Sequence, residues 1–258
     1  MRTVLLLILT VAASILVAVA GLWLVQRAVP LATLKANNEV CGNYLQTVGT
    51  IYAVLLAFVV FTVWTQQNEA GRLVERQANE LADVVRLTRG LGEPVRRQAL
   101  EAARDYARAV IDREWDLMAT GKASSRAFEL VEQLWQVLAG AEPKTAREEA
   151  LYGEAVARFN DFSDARTDLL QNSRTRLPPI LWILLVTGAL SNVGSMYFFG
   201  LESFASLALM TASLAGAIAF VLFLIYDLDH SFSGDWLVTP EPMRRVLEQF
   251  EKEMGGAP

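Results

Sequence analysis

Long runs without charge alternate with charged, amphipathic stretches along this chain. Four runs contain no Asp, Glu, Lys, Arg or His, and they are 24 to 29 residues long: Thr3–Gln26, Val40–Asn68, Leu177–Leu201 and Ser203–Tyr226. About 20 apolar residues are enough for a helix to cross the hydrocarbon core of a bilayer. Because backbone polar groups in lipid need partners within the same segment, we expect each run to be a helix. The pattern therefore predicts four membrane spans.

The first run has an alternative interpretation as a secretory signal peptide. Met1 and Arg2 precede the apolar stretch, and Ala18-Val19-Ala20 resembles a cleavage site. The stretch continues to Val25, however, and so exceeds the about 7–15 residues of a signal core. We therefore favour an uncleaved span.

Between the second and third runs, the apolar residues recur at the spacing of amphipathic helices. The first of these helices is expected to continue the second span directly. Residues that commonly start or end helices mark the expected boundaries: Gly90, Gly92, Pro94, Gly121, Ser124 or Ser125, Gly140 and Pro143. We expect a bundle of about four helices.

The predicted fold is all-α, a four-transmembrane-helix membrane protein with an inserted cytoplasmic helical bundle. The spans are expected at residues 3–26, 40–65, 178–200 and 203–227, the bundle at 66–176, and an acidic tail at 228–258.

Basic residues near the span ends predict the orientation. The side that holds both termini and the bundle carries eight arginines near the membrane: Arg2, Arg72, Arg76, Arg166, Arg174, Arg176, Arg244 and Arg245. The opposite side carries only Arg27 and Lys35. Both termini and the bundle are therefore expected in the cytoplasm, and the chain is expected in the plasma membrane as a multi-pass protein.

The charge balance and the few reactive side chains disfavour several functions. The tail from Asp227 onward has seven acidic and three basic residues, which argues against nucleic acid as a partner. His230 is the only histidine and Cys41 the only cysteine, and phosphate-binding glycine loops and nucleophile elbows are missing. We expect no enzyme activity and no cofactor. Uncharged spans also disfavour a proton-coupled transporter.

Two carboxylates near the end of the fourth span, Asp227 and Asp229, are weak candidates for binding a cation. A calcium site usually collects six or more oxygens, so an acidic helix end is the favoured interpretation and no metal is expected.

The second span is the best candidate for a transport pathway. Thr47, Thr50, Val54, Phe58 and Phe61 fall on one helical face, which has a polar entrance and an apolar middle. Channels can gate at such apolar constrictions by dewetting. A packed helix whose threonine hydroxyls bond to their own backbone explains the same pattern. Beyond this span, Arg72 and Arg76 could attract anions.

Several motifs between about residues 37 and 250 resemble those of one bacterial family. They are Gly49-Thr50-Ile51-Tyr52-Ala53-Val54-Leu55-Leu56-Ala57-Phe58, Trp64 with Asn68-Glu69-Ala70, Asn79-Glu80-Leu81, Glu114-Trp115 with Met118 and Gly121, Asp164-Ala165-Arg166 with Leu177-Pro178 and Leu181-Trp182, and Leu228-Asp229-His230-Ser231-Phe232-Ser233-Gly234. The chain thus resembles the bestrophin-like membrane proteins, a family of unknown function that is distantly similar to bestrophin anion channels. Ser231 stands where the family often has proline.

The resemblance implies a relation to bestrophins, which are pentameric anion channels with an apolar neck on the second span. Carried over to this chain, the neck would be Val54, Phe58 and Phe61, whereas the acidic calcium clasp of animal bestrophins is missing. The expected function is an oligomeric, anion-conducting channel in the bacterial inner membrane, lined by the second span. Its partners would be membrane lipid, inorganic anions and further copies of the chain, five by analogy. The alternative is a non-conducting scaffold or sensor whose bundle binds a protein.

Overall fold

The computed structural model describes residues 2–234 and 236–255, which fold into ten α-helices and three short helical turns of other types. Met1 and, within the predicted tail, residues 235 and 256–258 lie outside the described residues. The α-helices are α1 (Arg2–Ala28), α2 (Leu31–Ala36), α3 (Asn38–Thr88), α4 (Val95–Ala109), α5 (Trp115–Met118), α6 (Ser125–Ala139), α7 (Ala146–Arg174), α8 (Pro179–Ser195), α9 (Phe204–Leu228) and α10 (Glu241–Gly255). The other turns are 3₁₀ at Arg89–Leu91 and Met196–Phe198, and π at Val110–Glu114.

Four helical segments of the described chain are long and apolar enough to cross a membrane: Thr3–Ala28, Asn38–Leu91, Ala146–Phe198 and Phe204–Leu228. The all-α prediction with four candidate membrane-spanning helices is therefore confirmed. In the third segment, residues 175–178 interrupt the helix ahead of Pro179, so its apolar part is α8.

The described residues form two compact units. The membrane unit comprises residues 2–65, 176–230, 234 and 236, and the helical unit comprises residues 66–175, 231–233 and 237–255. Helix α3 contributes to both, because it is continuous from Asn38 to Thr88.

Small residues let the helices of the membrane unit approach closely. Helix α1 packs along α9, where Gly216 lies against Ile15. A Cβ atom at Gly21 would lie 2.7 Å from the hydroxyl of Tyr197, so the tyrosine ring needs a glycine beneath it. The buried core of α3, α8 and α9 contains Val63 and other aliphatic side chains.

The connections on one side of the membrane unit are more ordered than a loop. The short helix α2 lies in the connection between the first and second predicted spans. Asn38 donates to the carbonyl of Gly200 and accepts from its amide, at 3.1 and 2.8 Å. Lys35 pairs with Glu202 at 2.9 Å, and this hydrogen bond and charge lower the pKa of the Glu202 carboxyl.

The helical unit has its own hydrophobic core. Buried side chains from α3, α4, α6 and α7 meet there, including Leu81, Leu134 and Phe162. Helix α10 joins this core through Met243 and Phe250, although its residues belong to the predicted acidic tail. The apolar face of α10 therefore packs within the bundle, which is larger than the four helices expected.

Ion pairs at the edge of this core account for much of the acidic charge on α10. Glu253 pairs with Arg89 at 2.6 Å, and Glu251 pairs with Arg108 at 2.6 Å. On the same helix, Arg245 pairs with Glu75 of α3 at 2.8 Å. The acidic side chains of α10 thus complement basic side chains of the bundle.

The helix starts in this unit differ slightly from the sequence expectation. Ser124, rather than Ser125, caps α6, and its hydroxyl accepts from the amide of Ala127 at 3.4 Å. Helix α7 begins three residues after Pro143, because Thr145 caps it instead. Pro94 is the residue before α4, not its first residue.

A buried polar network links α3, α4, α7 and the π-helical turn. Arg166 donates to both oxygens of Glu114, at 2.6 and 2.7 Å, and to the hydroxyl of Tyr106 at 2.8 Å. Gln77 donates to the same hydroxyl at 2.9 Å, and the amide of Ser124 donates to Glu114 at 2.9 Å. The side chains of Arg166 and Glu114 are 3% and 1% exposed, so water cannot replace these bonds.

Burial raises the pKa of the Tyr106 hydroxyl, which therefore stays neutral. Burial alone would lower the pKa of Arg166, but its interactions with Tyr106 and Glu114 outweigh this and raise it. Within this network the Tyr106 hydroxyl is therefore neutral and Arg166 keeps its positive charge.

Replacing one member of this pair is expected to destabilise the helical unit. Arg166→Met leaves the Glu114 carboxylate buried without its partner, which costs about 3–5 kcal/mol of unfolding free energy. The matched control is Arg126→Met, which breaks an exposed pair with Glu129 and costs about 0.2–1 kcal/mol. Unfolding of the detergent-solubilised protein, followed by circular dichroism, measures both. Equal effects of the two substitutions would contradict the assignment.

Candidate pore-lining face

Within the membrane unit, α3 has one buried and one exposed side. Tyr52, Val59 and Val63 face the core of the unit. The exposed fractions of Phe58 and Phe61 are both 68%, and Val54 is half exposed. Thr47 and Thr50 are exposed as well. We refer to these five exposed residues, Thr47, Thr50, Val54, Phe58 and Phe61, as the α3 face.

The geometry of a helix explains why these residues share a side. Each residue turns the helix by about 100°, so all five lie within about 40° of the direction of Val54. The structure thus brings the sequence-predicted residues together on one face that points away from the core of their own unit. That face is available to line a pathway, to contact another protein or to meet lipid.

The threonine hydroxyls near and on this face bond to the helix itself. Thr47 donates to the carbonyl of Asn43 at 2.9 Å, and Thr50 donates to that of Gln46 at 2.7 Å. Further along, Thr65 donates to the carbonyl of Phe61 at 2.8 Å. These bonds are the ones expected for a packed helix, and they leave each hydroxyl oxygen able to accept but not to donate.

The two arginines predicted to attract anions belong to the helical unit. Arg72 lies 3.5 Å from Glu69, and Arg76 lies 3.8 Å from Asp161. The side chain of Arg72 is 79% exposed, and that of Arg76 is about half exposed. Exposed pairs of this kind are weak, so both guanidinium groups can still interact with ions in solution.

Contacts with α8 hold the opposite side of α3. The Tyr52 hydroxyl donates to the carbonyl of Leu185 at 2.9 Å, and the hydroxyls of Tyr44 and Ser191 are 2.9 Å apart. No contact of Tyr52 or Ser191 with another helix was predicted from the sequence. Only the tyrosines in an otherwise aliphatic span could have suggested one, since their hydroxyls need a partner when buried.

A separate cavity of the membrane unit has a volume of about 510 Å³. It is lined by apolar and small residues of α1, α8 and α9, together with Tyr197. Helix α3 contributes no side chain to it. The cavity is therefore not part of the α3 face.

The carboxylate of Asp229 has a structural partner. Its side chain accepts a hydrogen bond from the amide of Leu177 at 2.8 Å, just ahead of α8, and Asp229 is 2% exposed. Asp227 lies so close to Gly234 that a Cβ atom there would collide with the carboxylate, and the φ angle of Gly234, +92°, also favours glycine. Among the described residues, no three His, Cys, Asp or Glu side chains are arranged to hold a metal ion.

Comparison with known proteins identifies similar sequences and structures. The family model of the Bestrophin-like domain matches residues 12–243. No curated protein matches the chain significantly. A bacterial Bestrophin homologue from Klebsiella pneumoniae has a TM-score of 0.69 and 12% identity, with 97% of this chain and 99% of that chain covered. A variant of a bacterial Bestrophin homologue from the same organism also has a TM-score of 0.69, with 14% identity, and 96% and 99% covered. The family resemblance and the fold are thereby confirmed.

If Asp229 serves the structure rather than a cation, its variants should behave in a defined order. Asp229→Ala leaves the buried Leu177 amide without an acceptor and should cost about 1–3 kcal/mol. Asp229→Asn keeps an oxygen at this position and should cost less. The thermal unfolding midpoint of the detergent-solubilised protein, with and without millimolar Ca²⁺, measures both effects. A Ca²⁺-dependent rise that disappears in both variants would instead support a cation site.

Proposed function

Because this chain belongs to the Bestrophin-like family, we propose that it forms an oligomeric channel that conducts anions and is lined by α3. The observation that carries the proposal is the exposed, uncharged α3 face, which is polar at Thr47 and Thr50 and apolar from Val54 to Phe61. Apolar constrictions of this kind gate channels by dewetting.

The position of the face argues for several copies around one pathway. Val54, Phe58 and Phe61 point away from the core of their own unit, so one copy of α3 cannot enclose a conduit. Several copies, five by analogy with bestrophins, would place these residues around a common axis as a neck. Its uncharged lining would neither trap an anion by strong attraction nor repel it by like charge.

We place both termini and the helical unit on the cytoplasmic side of the bacterial inner membrane. Arginines are concentrated near the membrane on that side, whereas Arg27 and Lys35 are the only basic residues of the opposite connections. Arg72 and Arg76, which follow the neck residues along α3, would raise the local concentration of anions.

A second candidate is a non-conducting scaffold or sensor whose bundle binds a protein. A surface cavity of about 440 Å³ in the helical unit favours this alternative. It lies between the residues after α3 and the loop after α6, where Pro94, Gly140 and Lys144 are among its lining residues. This function would need neither an oligomer nor a water-lined α3 face.

Chloride flux from liposomes tests the channel directly. The protein should release chloride, and Phe58→Ala or Phe61→Ala should raise the flux about twofold or more by widening the neck. The control is Phe220→Ala, which removes a half-exposed phenylalanine on α9 and should leave the flux unchanged. The mass of the detergent-solubilised protein should correspond to about four or more copies.

Three results would count against this proposal. A monomeric mass without chloride flux would favour the scaffold. Flux that is insensitive to both Phe58→Ala and Phe61→Ala would remove these side chains from the neck. Equal effects of these variants and of Phe220→Ala would attribute the change to general perturbation of the membrane unit.

The arginines should matter most at low salt. Arg72→Gln combined with Arg76→Gln should lower chloride flux at 10 mM ionic strength, where the Debye length is about 30 Å, and much less at 1 M, where it is about 3 Å. Arg126→Gln, which removes an exposed arginine on α6, is the control. A loss of flux that does not depend on salt would contradict electrostatic attraction.

A further inference from the structure

The side of α3 opposite the α3 face carries one close-packed tyrosine. The Tyr52 side chain is buried, and its ring lies directly on Gly188 of α8. A Cβ atom at Gly188 would be 2.5 and 2.6 Å from two ring carbons of Tyr52, so only glycine leaves room for the ring. The hydroxyl at the end of the ring donates to the Leu185 carbonyl, one turn earlier on α8.

We propose that Tyr52 is a positioning residue of the pathway, which fixes the rotation of α3 so that Val54, Phe58 and Phe61 point toward the pore. This inference rests on the proposed channel function. Tyr52 lies two residues before Val54, which places the two side chains about 160° apart around the helix. Holding Tyr52 against α8 therefore directs Val54 almost straight away from α8.

Two further contacts hold the same rotation. The Cβ position of Gly49 is 3.2 Å from the side-chain oxygen of Asn192, a distance that leaves no room for a larger residue without movement. The side-chain nitrogen of Asn192 donates to the Gly188 carbonyl at 2.8 Å, and this bond orients the side-chain oxygen of Asn192 toward α3. Together with the contact of Tyr44 and Ser191, these interactions are distributed along the α3–α8 contact.

A change in the rotation of α3 would break all of these contacts at once. Turning α3 by one residue, about 100°, would lift the ring from Gly188, separate Gly49 from Asn192 and move the Tyr52 hydroxyl away from Leu185. The same turn would replace Val54 on the pore side by a neighbouring residue. The rotation of α3 therefore determines which residues form the neck.

Cysteine accessibility measures this rotation. Cys41 is the only native cysteine, so Cys41→Ser provides the background for Val54→Cys and, separately, Ala53→Cys. Ala53 is also exposed but lies about 100° away from Val54. A negatively charged, water-soluble thiol reagent should label position 54 faster than position 53 in liposome-reconstituted protein.

Gly188→Ala should displace the Tyr52 ring and lower the ratio of the labelling rates, position 54 over position 53, at least about threefold. The control is Gly194→Ala on the same helix, because a Cβ atom there meets no atom within 4 Å. Tyr52→Leu removes the ring without adding an atom to α8, so it provides the same test if Gly188→Ala does not fold. An unchanged ratio in both variants would overturn the proposal.

A second measurement separates failure of the inference from failure of the channel function. Gly49→Cys with Asn192→Cys in the Cys41→Ser background should form a disulfide under mild oxidation, since these positions face each other. The reaction should be slower with Tyr52→Leu. If position 54 is unlabelled in the Cys41→Ser background, the proposed function fails. If the disulfide forms at the same rate with and without Tyr52→Leu, the positioning role fails, whatever the labelling shows.

Discussion

The hydrocarbon core of a bilayer offers polar groups no hydrogen-bond partner, and this constraint explains most of the membrane unit. Every span is a helix, because a helix bonds its backbone internally. The polar side chains follow the same rule. Thr47 and Thr50 bond to the preceding turn of their own helix, while Tyr52 reaches the carbonyl of Leu185 on α8. A polar side chain therefore holds two helices together only when its hydrogen bond reaches the second helix.

In the helical unit, a buried ion pair supplies hydrogen-bond partners for polar groups away from water. Arg166 and Glu114 are almost fully buried, and two nitrogens of Arg166 donate to both carboxylate oxygens of Glu114. Tyr106 and Ser124 form further bonds with this pair, whereas Nε of Arg166 has no partner among the described residues. The π-helical turn at Val110–Glu114, between α4 and α5, carries the Glu114 carboxylate of this network. Charged side chains on the solvated exterior pair both within a helix, as Arg126 does with Glu129, and across helices, as Arg76 does with Asp161. Charge is thus concentrated in one unit and excluded from the spans of the other.

Local patterns predicted the fold well, whereas long-range pairs could not be predicted from them. The uncharged runs gave four spans, and helical periodicity gave a continuous α3 and the shared face of Thr47, Val54 and Phe61. Other features depend on partners far apart in sequence. Tyr52 and Leu185 are 133 residues apart, and Arg166 and Glu114 are 52 apart. Helix α10 was not predicted, because its acidic composition suggested a solvated tail. In the structure its Glu251 and Glu253 pair with arginines of the bundle.

The distribution of polarity along α3 favours a pathway over lipid for the exposed side. A helix that meets only lipid needs no polar side chain on that side, and Thr10 is the one hydroxyl-bearing residue among the exposed residues of α1 between Val4 and Leu24. The exposed side of α3 instead carries Asn43, Thr47 and Thr50 before the apolar stretch, and Thr65 and Asn68 after it. Water that enters from either end would meet hydroxyl and amide groups and then a short apolar segment. Only that segment needs to be narrow, because a constriction that gates by dewetting must be apolar where it closes and wettable on both sides.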